Sequence, residues 1–344
     1  MNASHPEQFF KTLKALYSSS STRQRSAVHV RLAESFLTIH FSRPEIKAYM
    51  LSSLSHILID NVHSAAITIY CFDSPLLTTF PWQGQNYGVQ GAIEGFNTPR
   101  FQTAYQHGSG AVMMYDHDTK EGIYWVKDFN DIPYWERSFP FRTILHWWSR
   151  DTTLLLLHAA GIAQKYSSAL LSGKSGSGKS STTLSCLLRD DLQIAGDDYV
   201  LVDTETSMLY SLYNCAKVEW DNLERLDFLK PLVDRNIKEA EKAMIFMHDT
   251  CTEKVMQKSR LDYAFVPVVC KANKTTIVEC TEAEVLKSIA PTTMFQLPSG
   301  QTETFKKCIA LTKKLKPYRI ELGTEASEIA AVISEFFIQK RQVL

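Results

Sequence analysis

Residues 173–180, Gly-Lys-Ser-Gly-Ser-Gly-Lys-Ser, restrict the possible folds of this chain more than any other feature. They match the pattern G-x-x-x-x-G-K-[ST], whose mechanism requires a strand before the loop and a helix after it. The apolar run Ser168–Leu171 predicts that strand, and Ser180–Arg189 favours a helix. A chain of this length would show the match by chance on the order of one time in a hundred. We therefore predict a phosphate-binding loop inside an α/β core.

The residue types in this loop suit a phosphate ligand. Glycines let the backbone form a cradle whose N–H groups point at phosphate oxygens, and the following helix directs its positive end at the same place. Lys179 supplies charge for the β- and γ-phosphates, and the Ser180 hydroxyl is a hard donor for Mg²⁺. An ordinary Gly/Ser-rich turn is the alternative, and the choice between ATP and GTP stays open. The expected nucleotide contacts are Gly173, Ser175, Gly176, Ser177, Gly178, Lys179, Ser180 and Ser181.

An acidic pair, Asp197-Asp198, follows the short apolar run Leu192–Ala195 and lies 24 and 25 residues after Gly173. That distance fits a helix and a return strand, so the pair can lie near the loop. A carboxylate there could orient Mg²⁺ or accept the proton of an attacking hydroxyl. The alternative is a polar strand end, where Asp is common.

The second half of the chain, about residues 140–335, resembles the HPr kinase-like family, bacterial serine kinases whose core is related to PEP carboxykinase. The variant His-Ala-Ala-Gly at 158–161, preceded by the helix-like Arg142–Trp148, resembles that of kinases from lasso-peptide-type biosynthetic clusters. The other similar segments are Leu170–Ser181, Ala195–Asp198, Tyr213–Lys217 and Phe295–Pro298.

The resemblance implies ATP and Mg²⁺ as cofactors and transfer of the γ-phosphoryl group to a serine hydroxyl. It implies that Asp197 is the catalytic base and that Asp198 joins Ser180 on the metal. It also implies that His158 lies beside the pair and assists, so Asp197, His158 and Lys179 are the predicted catalytic residues. A core histidine in an apolar strand is the alternative for His158.

One departure from the family limits the resemblance. HPr kinase/phosphorylases carry a second, glycine-containing signature after the acidic pair, which is associated with phosphorolysis. Residues 204–260 of this chain contain no glycine. Phosphorylase activity and HPr as the acceptor are therefore not expected.

Several charged residues are weaker candidates for the same site. Lys217 could approach the phosphates, and Glu219 could complete the Mg²⁺ shell. Arg260 and Arg319 are further candidates for phosphate contacts. For each of them, the alternative is an ordinary surface side chain without a role in the site. The charged run 221–254 predicts a helix, either solvated or acting as a lid.

The chain predicts two domains. Residues 1–135 favour a smaller α+β domain with an antiparallel sheet, a candidate for substrate recognition. It would contain a strand at 28–41, irregular loops at 76–110 and a hairpin at 111–126. Residues 136–344 favour an α/β P-loop kinase core of the HPr kinase type.

Composition limits the partners. Lys+Arg and Asp+Glu both number 37, so the chain lacks the basic excess of a nucleic-acid binder. The longest apolar stretch, 154–163, is shorter than the ~20 residues that span a membrane. Seven cysteines without a C-x-x-C motif fit a reduced, cytoplasmic protein. We expect no nucleic-acid or membrane partner, and a homo-oligomer stays open.

Three functions remain open at this point. The first is an ATP-dependent kinase for a Ser/Thr hydroxyl of a peptide or protein, with a ribosomally synthesised peptide precursor as one candidate acceptor. The second is a small-molecule hydroxyl kinase. The third is a non-catalytic nucleotide-dependent regulator, against which the intact Lys179, Ser180, Asp197 and Asp198 argue.

Overall fold

The protein is a mixed α/β structure whose chain divides into two compact units. The first comprises Met1–Thr152 and Phe295–Gln301, and the second comprises Thr153–Met294 and Thr302–Leu344. The boundary predicted at residue 135 therefore falls inside the first unit. The computed structural model describes residues 5–20, 23–82, 87–88, 90–165, 167–236, 241–270 and 274–341.

The first unit is built on a seven-stranded sheet. Its strands are β1 (Ser26–Leu32), β2 (Ser35–Phe41), β3 (Leu58–Ile59), β4 (Ile67–Asp73), β5 (Phe101–Gln106), β6 (Ala111–Asp116) and β7 (Glu121–Val126). Its helices are α1 (Pro6–Ser19), α2 (Pro44–Leu51), α3 (Tyr134–Ser138) and α4 (Arg142–Arg150), with 3-10 turns at Ser52–Ile57 and Phe129–Asp131. The strand order is β3-β1-β2-β4-β7-β6-β5.

Three sequence predictions for this unit need correction. The sheet is mixed and not antiparallel, because β2 pairs with β4 and β4 pairs with β7 in parallel. The single strand predicted at 28–41 is the hairpin β1–β2, which turns at Ala33 with a φ of 55°. The region 76–110 contains β5 and is not all loop. The hairpin predicted at 111–126 is confirmed as β6–β7.

Apolar packing explains how helices cover this sheet. Helix α1 buries Phe9, Phe10 and Leu13 in one core with the aromatic side chains of β4, β5 and β7. Gly122 in β7 leaves space for α4, since a Cβ there would lie 2.6 Å from Ile144 Cγ2. A side chain at residue 122 would therefore push α4 away from the sheet.

The second unit has a larger sheet of nine strands and a separate two-stranded sheet. Its strands are β8 (Leu154–Leu157), β9 (Ala160–Gln164), β10 (Ser167–Leu171), β11 (Gln193–Gly196), β12 (Val200–Asp203), β13 (Met208–Ser211), β14 (Cys215–Val218), β15 (Ala243–Phe246), β16 (Lys258–Val269), β17 (Thr276–Glu279) and β18 (Lys316–Leu322). Its helices are α5 (Lys179–Ser185), α6 (Trp220–Arg225), α7 (Met247–Thr250), α8 (Glu282–Met294), α9 (Gln301–Thr312) and α10 (Ala326–Arg341), with 3-10 turns at Cys186–Leu188, Asp227–Leu232 and Thr252–Lys254.

Two apolar cores, one on each face, hold the large sheet. The order is β11-β9-β10-β16-β13-β12-β8, with β18 on β16 and β17 on β18. One core joins the sheet to α5 and α10 through residues such as Leu184 and Ile333. The other joins it to α8 and α9 through residues such as Ile289 and Leu311. The parallel pairing of β10 with β16 and of β16 with β18 matches the buried α/β core predicted from the sequence.

The helix predicted across 221–254 is wrong as a single element. The described part of that run contains most of α6, two 3-10 turns, strand β15 and α7. Strand β15 pairs with β14 through Lys217↔Met244 and its neighbours. No helix in the described ranges is long and apolar enough to cross a membrane.

Candidate functional site

The glycine-rich loop Gly173–Ser180 connects β10 to α5, as its motif requires. Gly176 and Gly178 have φ angles of 78° and 93°, a region that side-chain-bearing residues rarely adopt. A Cβ on Gly178 would also collide with Leu322 Cδ1, and one on Gly173 would lie 2.5 Å from Ser177 Oγ. The glycines are therefore needed both for backbone conformation and for space.

The loop has main-chain donors that no described residue uses. The N–H groups of Gly176, Gly178, Lys179 and Ser180 have no backbone or side-chain acceptor in the described ranges. By contrast, Ser177 N donates to Lys174 O and shapes the turn. Unused N–H groups in consecutive turns form a concave site for an anion. The predicted contacts Gly173, Ser175, Gly176, Ser177, Gly178, Lys179, Ser180 and Ser181 all belong to this loop or to the first turn after it.

Lys179 connects the loop to the acidic pair. Its Nζ lies 2.6 Å from Asp198 Oδ1 and donates to Asp197 O at 3.0 Å. The side chain is only 9 % exposed, so the ammonium group is nearly desolvated. Burial lowers the pKa of Lys179, but the charges of Asp198 and Asp197 outweigh it and raise that pKa. The lysine stays charged at neutral pH.

Two strand breaks bring His158 to the acidic pair. His158 lies between β8 and β9, and not within one strand as the sequence suggested; Asp197 and Asp198 lie between β11 and β12. Strand β8 pairs with β12 and β9 pairs with β11, so both breaks occur at the same place in the sheet. His158 Nε2 is 3.6 Å from Asp198 Oδ1, and its ring centroid is 5.1 Å from that of Tyr199.

The carboxylate of Asp198 faces two lysines and a histidine. Lys179 pairs with Oδ1, Lys217 Nζ lies 3.8 Å from Oδ2, and His158 faces Oδ1. Burial favours the neutral acid, but Lys179, His158 and Lys217 together hold the pKa of Asp198 well below its ordinary value. The side chain is 20 % exposed. Asp198 is therefore an ionised carboxylate with an open side.

Asp197 has a very different environment. It is 1 % exposed, and neither carboxylate oxygen accepts a hydrogen bond from a described residue. Burial raises the pKa of Asp197 to about 6, although Lys179 and the adjacent Ser180 side chain favour the ionised form. Two orphaned carboxylate oxygens beside a serine hydroxyl are unusual in a buried region.

Burial lowers the pKa of His158, whereas it raises the pKa of Asp197. His158 is largely enclosed, and burial lowers its pKa while the hydrogen bond and charge of Asp198 oppose this only in part. Its Nδ1 has no partner among the described residues. Thr293 Oγ1 accepts from the His158 main-chain N–H at 3.3 Å and fixes this segment. A neutral imidazole next to Asp198 follows.

The weaker candidates differ in whether they contact the acidic pair. Lys217 on β14 joins the site through Asp198. Glu219 pairs with Lys242 at 2.5 Å. The parallel register Ser167↔Arg260 puts Arg260 at the opposite end of β10 from the loop, where it pairs with Asp262.

Arg319 also lies away from the acidic pair. It contacts Glu284 at 3.7 Å and Glu321 at 3.4 Å. On β18, Arg319 lies between the buried Tyr318 and Ile320. Its side chain therefore points to the opposite face of the sheet from theirs.

Sequence reasoning missed three residues that shape the site. Gly196 allows the tight approach before Asp197, since a Cβ there would lie 2.9 Å from Tyr199 O. Tyr199 packs its ring on His158. Thr293 comes from a distant helix, so only tertiary structure connects it to His158. For Gly196 the signal was its position directly before the acidic pair.

The donor set fits a magnesium–nucleotide ligand. The orphaned oxygens of Asp197 and the Ser180 hydroxyl are hard donors on one side of the loop. Mg²⁺ bound with a nucleotide commonly takes one or two protein oxygens and completes its shell with phosphates and water. No group of three or more His, Cys, Asp or Glu side chains in the described part could hold a metal ion alone.

Comparison with models of known protein families gave no match for this chain. Comparison with curated proteins gave no significant match.

Proposed function

We propose that the chain is an ATP-dependent phosphotransferase that transfers the γ-phosphoryl group to a hydroxyl, with a P-loop kinase core of the HPr kinase type in its second unit. One observation carries the proposal: a loop with unused N–H groups lies directly beside Lys179, an acidic pair and a histidine. An anion cradle alone would fit any phosphate binder. The carboxylates next to it supply the proton acceptor that transfer to a hydroxyl needs.

In the proposed reaction, the acceptor oxygen forms a bond to the γ-phosphorus while the bond from that phosphorus to the β–γ bridging oxygen breaks. ADP leaves, and the hydroxyl proton passes to a carboxylate. The N–H groups of the loop and Lys179 hold the phosphates in line for this displacement. Bound Mg²⁺ would neutralise part of the charge on the β- and γ-phosphates.

The geometry favours an exchange of the roles implied by the resemblance. Asp197 is enclosed, lies beside Ser180 and has two unsatisfied oxygens, which suits the metal-side carboxylate. Asp198 is ionised and partly open, which suits contact with the acceptor hydroxyl. His158 orients Asp198, and Lys217 lies on its other oxygen. We therefore propose Asp198 as the proton acceptor.

Lys179 would change partners during this cycle. In the structure its Nζ donates to Asp198 Oδ1 at 2.6 Å. The β- and γ-phosphates carry more negative charge than one carboxylate and would draw the ammonium group toward the loop. Asp198 would then lose its strongest counter-charge and become a better base.

The acceptor class remains a choice between two proposals. We favour a Ser/Thr hydroxyl of a peptide or protein, as the resemblance implies, with a small-molecule hydroxyl as the second candidate. The test incubates the purified protein with γ-labelled ATP, Mg²⁺ and the products of neighbouring genes, and mass spectrometry then locates the label. Label on a Ser or Thr that disappears with Lys179→Ala supports the proposal. Phosphate released only to water would contradict it.

A pair of isosteric variants tests the exchanged roles. Asp198→Asn should retain binding of Mg²⁺ and ATP but lower the transfer rate by about 10²–10⁴-fold, the usual range for a general base. Asp197→Asn should instead raise the Mg²⁺ concentration needed for half-maximal rate. If Asp197→Asn abolishes transfer at saturating Mg²⁺ and Asp198→Asn does not, Asp197 is the base, as the family resemblance implies, and the exchange of roles is wrong.

A further inference from the structure

A cavity of about 250 Å³ lies beside the glycine-rich loop within the second unit. Gly176, Gly178 and Ser181 form its wall on the loop side. The opposite walls come from α6 and from the chain segments where β16 and β18 end. The cavity is therefore continuous with the surface that would hold phosphates, and it contains none of the catalytic candidates.

The loop has two chemically different ends. Lys179, Asp197 and Asp198 mark the end where the β- and γ-phosphates belong. The cavity instead touches Ser181, the residue after the metal-side serine, and the two glycines with positive φ. A triphosphate with its γ-phosphate at the acidic pair would thus direct its α-phosphate and nucleoside toward the cavity.

The cavity walls combine apolar surface with uncommitted polar groups. Leu226, Val269 and Leu322 supply aliphatic surface that can cover the faces of a planar ring. Asn222 and Arg225 lie one turn apart on α6, and neither side chain has a hydrogen bond or ion pair with a described residue. No acidic side chain lines the cavity in the described ranges.

We propose that this cavity binds the adenosine end of the nucleotide and that Asn222 makes the enzyme prefer adenine over guanine. An amide can donate to and accept from the adenine edge at once. Guanine presents N1–H and N2–H donors, and the described walls offer no carboxylate to accept both. Arg225 would pair with the α-phosphate. This inference rests on the proposed function, because the direction of the triphosphate follows from it.

The experiment compares ATP with inorganic tripolyphosphate, which has the phosphates but lacks the nucleoside. Calorimetry would measure both affinities, with a non-hydrolysable ATP analogue, for the intact chain and for Asn222→Leu and Arg225→Ala. Asn222→Leu should weaken the ATP analogue about tenfold and leave tripolyphosphate unchanged. Arg225→Ala should weaken the analogue by a similar factor. Arg260→Ala, at the opposite end of β10, is the matched control and should change neither affinity.

A second variant tests base choice directly. Asn222→Asp has the same shape but carries a carboxylate that can accept from guanine N1–H and N2–H. The wild-type chain should bind the ATP analogue more tightly than the GTP analogue, and Asn222→Asp should reduce or reverse that preference. Equal affinity of the wild type for both bases would overturn the role of Asn222.

The outcomes separate the inference from the function on which it rests. Equal affinities for tripolyphosphate and the ATP analogue, unchanged by the α6 variants, would refute the nucleoside cavity and leave the phosphate loop intact. Failure to bind either ligand, or binding that survives Lys179→Ala, would refute the proposed function and the inference with it. Selective loss of the ATP analogue in Asn222→Leu would support both.

Discussion

Asp197 and Asp198 have the same side chain and adjacent positions, yet their surroundings give them opposite properties. Asp198 has three positively charged or polar neighbours that favour its ionised form. Asp197 lies on the buried side of the same turn with no partner for its oxygens. The sequence predicts that the two residues share a site, but only burial and charge decide which is the stable anion.

The burial of the Asp197 carboxylate leads to a stability prediction. Because its folded-state pKa is raised to about 6, the native protein holds the proton more tightly than the unfolded chain does. Ionisation of Asp197 therefore destabilises the fold at pH 7. This effect is largely lost at about pH 4 and disappears below about pH 3, where the acid is neutral in both states. Asp197→Asn should stabilise the metal-free protein at pH 7 by on the order of 1–3 kcal/mol.

Thermal unfolding in EDTA at pH 7 and pH 4 would measure this effect. Asp198→Asn is the matched comparison, and it should destabilise the protein at pH 7 because it leaves the buried Lys179 without its partner. A loss of stability in Asp197→Asn at pH 7, as large as that in Asp198→Asn, would disprove the distinction between the two carboxylates.

At the scale of elements, the sequence predicted the strand, loop and helix whose spacing is fixed by the phosphate-binding motif. The strand, glycine loop and helix around residues 168–189 are present in order, although the helix ends at Ser185 and continues as a 3-10 turn. Strand β11 precedes the acidic pair as expected, and β12 follows it. These elements were predictable because their signals are local.

Elements whose identity depends on distant partners were not predictable. Strand β15 lies in a charged run with helix-favouring residues, and it is a strand because β14 pairs with it. The parallel pairs of β4 also join segments far apart in the chain. The approach of Thr293 and Lys217 to the site has the same origin. Tertiary pairing outweighs local propensity in each case.

The loop glycines give the element-scale prediction. Gly178→Ala combines an unfavourable φ of 93° with a collision at Leu322, so the loop or β18 must shift. Gly176→Ala has a φ of 78° but no atom within 4 Å of the new Cβ. We expect a loss of about 1–2 kcal/mol for Gly176→Ala from the backbone alone and a larger loss for Gly178→Ala.

Chemical denaturation and tripolyphosphate binding would both be measured for this pair. Gly178→Ala should also bind tripolyphosphate more weakly than Gly176→Ala, because the shift forced by Leu322 moves the N–H of residue 178, one of the free donors of the cradle. Equal losses in both variants would mean that contact with Leu322 is unimportant.

At the scale of the whole molecule, sequence order and structural unit do not coincide. The chain completes α8 in the second unit, and residues 295–301 then belong to the first unit. There Trp147 Nε1 donates to Pro298 O at 2.9 Å and to Ser299 Oγ at 3.0 Å, and His146 Nε2 contacts Ser299 O at 3.0 Å. The first unit is thus completed by a segment that no sequence boundary near residue 135 would include.

This segment is the basis of the last prediction. Trp147 is fully buried, and Trp147→Phe would remove the only donor to Pro298 O known in the described ranges and leave a gap beside it. The lost hydrogen bonds and packing should lower the free energy of unfolding by about 2–4 kcal/mol.

Trp135→Phe, at a partly exposed position of the same unit, is the control and should lower the free energy of unfolding by less. Tripolyphosphate affinity at low temperature should not change in either variant, because the glycine-rich loop belongs to the second unit. Equal melting temperatures for the two variants would show that residues 295–301 contribute little to the first unit.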